Sequence, residues 1–225
     1  MEQWYLSFDC ATKTFAYVLV KIKLNHLFID VRKVLNLVKI LTKKIHCNFS
    51  DDMANILYDI DNKTKYAIEI ITGNCIDLIP GIDNNNINTV DRIKIVSKYV
   101  KNDIFPFIND IPMDKITILI EFQMSYNTQS KIVSIALLTL FSEYTIHLVN
   151  PSLKNKIYFT EEGKYYHFIE KYKNSYDANK KHALYNFKEF ERIFDQHIDV
   201  SDNLKGHIAD SFMQIFGYIM FIKNK

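Results

Sequence analysis

Residues 4–20, WYLSFDCATKTFAYVLV, constrain the fold more than any other stretch of the chain. Two apolar runs rich in aromatic and β-branched residues read as strands buried on both faces. A single carboxylate, Asp9, stands at the tip of the first. The Cys-Ala-Thr-Lys step after it has neither the Gly nor the Asn of a tight hairpin turn. Asp9 is therefore either an awkward turn residue or a residue that holds something, and the remaining segments bear on the choice.

The first half of the chain is strand-rich. Residues 4–9, 14–24 and 27–34 are expected strands, with Asn25-His26 as a turn between the last two. Residues 49–61, FSDDMANILYDID, predict a short helix capped by Ser50 or Asp51. Residues 72–89, TGNCIDLIPGIDNNNINT, read as a turn-rich loop. A helix capped by Asn88 or Thr89 should run from Val90 to about Ile104 and stop before Pro106. KITILIEF (115–122) is a continuous apolar run ending in an acid, hence a buried parallel strand. Residues 129–144 carry helical periodicity, TIHLVNPS (145–152) is a further strand, and 165–172, 179–194 and 204–222 predict helices. A three-strand meander followed by strand, helix, strand and then helices indicates an α/β protein with a mixed sheet.

A chain of 225 residues suffices for one domain, here 1–225, with a less typical insertion around 40–88. Cys10, Cys47 and Cys75 have no metal-binding spacing and suit a reducing compartment. No apolar run approaches a membrane span, and MEQWYLSFDC has no signal-peptide pattern, so an intracellular location is expected. The formal net charge of +2 neither demands nor excludes nucleic acid. Its distribution says more: between residues 21 and 44 seven basic residues meet one acid, Asp30, and a second lysine-rich tract runs over 154–188. Such tracts neutralise phosphates, and Lys154 and Lys156 are candidates for that role; a plain solvated surface is the competing account. Only Arg32, Arg92 and Arg192 accompany the lysines, and with abundant Ile, Asn, Tyr and Phe this suggests an A/T-rich gene.

Asp9 ends the first strand and Glu121 ends ITILIE. Ligands of open α/β sheets gather at the carboxyl ends of strands. If these two strands are neighbours, two like charges stand side by side and call for a cation, with oxygen ligation that suits Mg²⁺ or Mn²⁺. In GHIADSFMQIFGYIMF (206–221), His207 and Asp210 share one face of a helix that is otherwise apolar nearly all round. Asp9, Glu121, His207 and Asp210 together make a carboxylate-rich site with one histidine. Singly, each has an ordinary explanation: a turn residue, the first exposed residue after a strand, a surface pair on a helix. Their joint occurrence at strand tips and a helix start favours a site.

In order along the chain, SFDCATK, IEFQMSYNTQS, VNPSLKN, NKKHALYNF and HIADSFMQ resemble the RNase H-like nuclease superfamily. More narrowly they resemble the RuvC-like Holliday junction resolvases of poxviruses and related large DNA viruses. The resemblance spans nearly the whole chain, with 40–88 the least matched part. It implies an RNase H-like fold with a five-stranded mixed sheet, a three-stranded antiparallel meander plus parallel strands, flanked by α-helices. It implies a homodimer that resolves four-way junctions and other branched DNA by paired, metal-dependent nicks leaving 5′-phosphates, in viral recombination or concatemer resolution and hence in host cytoplasm. Asp9, Glu121 and Asp210 would be metal ligands for Mg²⁺ or Mn²⁺, two ions per site. His207 stands where viral members often carry another carboxylate, and would bind metal or position a water. Lys180 or Lys181 corresponds to a family lysine near the scissile phosphate, Gln123 would contact DNA or orient the site, and Lys13 can lie beside the substrate phosphate.

Two other classes compete. A strand-tip aspartate before a Thr- and Lys-containing turn also begins sugar kinases and actin-like ATPases, but these need a second Gly-rich phosphate loop. A chain with five glycines lacks one, so no nucleotide cofactor is expected. A non-catalytic junction-binding protein would require a broken metal site, against which the three carboxylates argue.

Overall fold

The structure is a computed structural model that describes residues 2–11, 13–23, 68–83, 86–122, 128–160 and 162–221. Its centre is a five-stranded sheet. Strand β1 (Glu2–Cys10) pairs antiparallel with β2 (Thr14–Lys23), and β2 pairs antiparallel with β3 (Ile68–Asp77). Helix α1 (Thr89–Tyr99) passes through a π-helical turn, Val100–Ile104, into the short α2 (Phe105–Ile108). Next come β4 (Ile116–Glu121), α3 (Thr128–Leu140) and β5 (Thr145–Val149), then a 3₁₀ segment, Pro151–Lys156. Helices α4 (Tyr165–Lys171), α5 (Ser175–Phe194) and α6 (Asp202–Phe221) complete the chain. The strand order is β3-β2-β1-β4-β5, with β4 parallel to both β1 and β5.

Strand periodicity splits the apolar side chains into two cores. Leu6, Phe8, Phe15, Leu19, Ile118 and Ile120 point to one face and pack with α1, α3 and Phe141. Tyr5, Ala16, Val18, Val20 and Leu119 point to the other and pack with α5 and α6. On that side Phe187, Phe190, Phe212 and Phe216 interlock, Phe190 lying 4.5 Å centroid to centroid from Phe212. Each such ring contributes about 2–3 kcal/mol by leaving water. The edge of β3 is covered by Gln196, which accepts from the Ile70 N–H at 2.7 Å and donates to the Ile68 carbonyl. The left-handed Asp195 (φ 52°), capping α5, turns the chain onto that edge.

Two expectations need correction. Residues 72–77 are not a loop: they form the second half of β3, because pairing with 14–19 of β2 satisfies their backbone despite Gly73 and Asn74. Helical structure does not end before Pro106 either. The π-helical turn restarts the helix, so Pro106 falls in the first turn of α2, where a missing N–H costs nothing. The third strand of the meander is thus β3. The strand and helix expected at 27–34 and 49–61 lie outside the described residues, as does much of the 40–88 insertion.

Candidate active site

The register of the sheet aligns the two strand-tip carboxylates. Phe8 pairs with Ile120, so Asp9 and Glu121 stand one residue beyond, side by side at the carboxyl ends of β1 and β4. Alternation then decides the face. Tyr5 and Leu119 point toward α5 and α6, and Asp9 and Glu121, an even number of residues further on, point the same way. Helix α6 leans on β1, β2 and β4 there, presenting His207 and Asp210 one turn apart.

Two lysines complete the cluster. At the end of β5, Asn150 accepts from the Ser152 N–H at 2.9 Å and Pro151 opens the 3₁₀ segment, which turns Lys154 inward. Gly217 of α6 permits this approach: a Cβ there would lie 3.1–3.3 Å from Leu153 and the Lys154 nitrogen. Helix α5 is capped by Asn174, which accepts from the Asp177 N–H at 2.7 Å, and delivers Lys180 in its second turn. Lys154 Nζ lies 2.7 Å from Asp210 Oδ1 and 3.7 Å from Glu121 Oε2. Lys180 Nζ pairs with Asp210 Oδ2 and lies 3.4 Å from Asp9 Oδ2. His207 Nδ1 is 3.0 Å from the same Asp9 oxygen, and its Nε2 is 3.4 Å from Thr14 Oγ1. All six side chains line one cleft of about 460 Å³.

The charges follow from burial and neighbours. Burial works against ionised Asp9, but the Lys180 ammonium, the hydrogen bond from His207 and the Lys154 ammonium outweigh it. Its carboxyl is held well below the usual carboxylate range. Glu121 is pushed up to about 7 by burial, which the more distant Lys154 does not offset, and by the neighbouring Asp9 and Asp210. Burial also opposes charge on both lysines. Asp210 and Glu121 around Lys154, and Asp9 and Asp210 around Lys180, nevertheless keep them protonated well above the ordinary lysine range.

Among the described residues no three His, Cys, Asp or Glu side chains are disposed to hold a metal ion. The carboxylates turn to the two ammonium groups instead. The donor chemistry itself fits a hard divalent cation: carboxylate oxygens and one imidazole, with Glu121 short of compensating positive charge.

The other expected residues lie elsewhere. Lys181 is exposed and does not line the cleft, so of the adjacent pair Lys180 is the one that faces in. Lys13 pairs with Asp77 at 3.5 Å and is absent from the lining, because its backbone carbonyl accepts from the Leu78 N–H and ties that turn to the end of β3. Lys156 is exposed over the Phe221 ring, 5.2 Å from its centroid. Lys154 is not on the outer surface at all, since its ammonium is enclosed by acids. Gln123 lies outside the described residues. Phe122, which sequence reasoning did not single out, and Tyr176, at the end of an aromatic-rich stretch (157–176) better read as packing, also line the cleft. The i,i+4 spacing of Tyr176 and Lys180 was the available signal.

No protein-family model matches the sequence, and no curated protein matches it. Solved structures do. Thermus thermophilus RuvC superposes with a TM-score of 0.50 at 9% identity, over 96% of this chain and 95% of that one. T. thermophilus RuvC in complex with a Holliday junction substrate gives 0.49 at 8% identity, over 96% and 92%. Fowlpox virus resolvase in complex with Holliday junction DNA gives 0.49 at 14% identity, over 96% and 97%. The strand order, the parallel β1–β4–β5 unit and the likeness to T. thermophilus RuvC together establish that this chain has the RuvC-like fold, an RNase H-like architecture.

Proposed function

We propose that the protein is a divalent-metal-dependent endonuclease that cuts four-way and other branched DNA. One observation carries the reading: Asp9, Glu121, Lys154, Lys180, His207 and Asp210, drawn from separate segments, meet in one cleft at the carboxyl ends of β1 and β4. A cluster of that composition suits phosphodiester hydrolysis. Asp9, Glu121, Asp210 and His207 would hold Mg²⁺ or Mn²⁺, up to two ions, which when bound supply Lewis-acid chemistry and charge neutralisation.

The chain's own residues account for the rest. Lys180, at the open side of the cluster, offsets charge that develops on the phosphate under attack. Lys154, buried between Glu121 and Asp210, holds those two carboxylates against their mutual repulsion. In-line attack expels the 3′-oxygen and leaves a 5′-phosphate. Exposed lysines such as Lys156 and Lys181 add phosphate contacts, so binding should weaken steeply with salt. A homodimer would set two sites on opposing strands and give paired nicks. Such an activity belongs to recombination or concatemer resolution inside a cell.

The ammonium groups seated on Asp9 and Asp210 favour one other reading, a junction-binding protein without catalysis. One experiment separates the two. A synthetic four-way DNA junction is incubated with the protein and Mg²⁺ or Mn²⁺, beside Asp9→Asn and Glu121→Gln. The expected result is symmetric nicking by the wild type and its loss in both variants. Binding without cutting supports the second reading, and equal cutting by all three proteins overturns the site. A monomer by sedimentation with DNA bound overturns paired nicking.

A further inference from the structure

Beneath the carboxylate cluster lie two polar side chains that the cleft does not reach. Ser7 of β1 and Gln214 of α6 are both buried and neither lines the cleft. Among the described residues, the Ser7 hydroxyl and both polar atoms of the Gln214 amide have no hydrogen-bond partner. A buried polar group without a partner is costly, and an apolar side chain of similar shape in either place would avoid that cost. Their presence between a hydrophobic strand and a hydrophobic helix asks for a use.

Contacts to either side show what Gln214 faces. Toward the start of α6, His207 Nδ1 lies 3.0 Å from Asp9 Oδ2; toward its end, the Tyr218 ring lies 6.2 Å from that of Tyr5. Ser7 stands between Asp9 and Tyr5 on the same face of β1, because alternate strand residues share a side. Two strand residues and four helical residues each advance about 6–7 Å, so α6 carries Gln214 over Ser7. Asp210 precedes Gln214 by four residues, the spacing at which an amide and a carboxylate meet on one helix.

Donors and acceptors in this layer match. The Ser7 O–H can donate to Gln214 Oε1, and the Gln214 N–H to Asp210, whose carboxylate has room for about four hydrogen bonds. Here Lys154 lies 2.7 Å from Asp210 Oδ1 and Lys180 pairs with Oδ2. A divalent cation among the acids would repel both ammonium groups, and Asp210 would then need a neutral donor from behind. We propose that Ser7 and Gln214 are positioning residues, whose hydrogen-bond chain closes onto Asp210 when that carboxylate turns to a divalent cation and fixes its orientation there. This rests on the metal-dependent reading above. Groups behind a metal ligand set its orientation, and through it the affinity for the ion.

The test measures Mn²⁺ binding to the DNA-free protein by electron paramagnetic resonance. Gln214→Leu is expected to weaken binding about tenfold, and Ser7→Ala to weaken it in the same direction. Because Ser7 acts through Gln214, the double variant should lose no more than Gln214→Leu alone. In EDTA the Gln214→Leu protein should melt no lower than the wild type, so that weaker binding does not reflect a weakened fold. At a fixed Mn²⁺ concentration its melting temperature should rise less than that of the wild type. Equal affinity in the wild type and Gln214→Leu, or additive losses in the double variant, would overturn the positioning role and leave the nuclease reading intact. A wild type that takes up no Mn²⁺ and cuts no junction overturns both.

Discussion

Phe141, following α3, and Asp210, in α6, are both buried against the central strands, on opposite faces of one sheet. Around Phe141 lie Phe8, Phe105 and Tyr144, in ring contacts of 5.4–5.7 Å. Around Asp210 lie two ammonium groups, and one turn further along α6 the buried amide of Gln214. The α1–α3 layer rests mainly on apolar area, with Arg92 of α1 and Ser130 and Ser134 of α3 as buried polar exceptions. The α5–α6 layer has as rich an aromatic core but also encloses His182, Asn186, Glu191, Lys205 and the whole charged cluster. A buried ion cluster is weak as a source of stability, because desolvation offsets most of the attraction, so its presence on one face marks that face as the candidate site.

The largest effects should come from the two residues that define the contrast. Asp210→Ala leaves Lys154 and Lys180 without their shared acid and should cost about 3–5 kcal/mol in urea unfolding, with junction cutting lost. Phe141→Ala should cost a similar ~3–5 kcal/mol through cavity formation, yet leave the cutting rate of the folded molecules unchanged. If Phe141→Ala abolishes cutting at a temperature where it is folded, the two layers are not separable.

Acid should act on the α5–α6 layer through His182. Its ring is buried, and Tyr165 and Phe168 stand edge-on to it at 5.3 and 5.4 Å. Burial lowers it from 6.5 to about 4, so the unfolded chain binds the extra proton first. Stability from this group is complete above pH 6.5 and is lost as pH falls to 4, by about 3 kcal/mol. Glu121 runs the other way. Raised from 4.5 to about 7, it is protonated in the folded state while the unfolded chain is not, and its contribution falls as pH rises through that interval. The wild type should therefore change little in urea midpoint between pH 4.5 and 6.5. Glu121→Gln should weaken on acidification and His182→Asn should strengthen; parallel curves for all three would refute the assignment.

Smaller effects sharpen the same contrast. Among the described residues, neither the amide oxygen nor the amide nitrogen of buried Gln214 has a hydrogen-bond partner. Gln214→Leu should raise stability by about 1–2 kcal/mol, seen as a higher melting temperature. Gly217→Ala should lose about 1 kcal/mol despite the better helix propensity, because its Cβ would press on Leu153 and the Lys154 backbone. A larger proportional loss in cutting than in stability is expected there, since the displaced segment carries Lys154.

Much of the fold was legible because it depends on local pattern. The near-continuous apolar runs of β1, β2 and β4, the Asn cap of α1, and the Asn-Pro that opens the 3₁₀ segment are short-range signals. The second half of β3 was not legible. Gly73 and Asn74 argue for a turn, and only a partner strand overrides them. Pro106 misled for a related reason: helix rules place the stop, but the π-helical turn moved it.

The sequence by itself determined which side chains were candidates. Asp9, Glu121, His207 and Asp210 stand out because carboxylates at the ends of buried strands and a polar pair on an apolar helix are out of place unless something uses them. Only the tertiary structure decided which of them meet, which of Lys180 and Lys181 faces inward, and that Lys154 belongs among the acids rather than on the surface. The strand register and the crossing of α6 over β1 and β4 set those distances, and both arise from packing between segments far apart in the sequence. Local patterns encode the face a side chain prefers; its neighbours across the core are chosen by the fold as a whole.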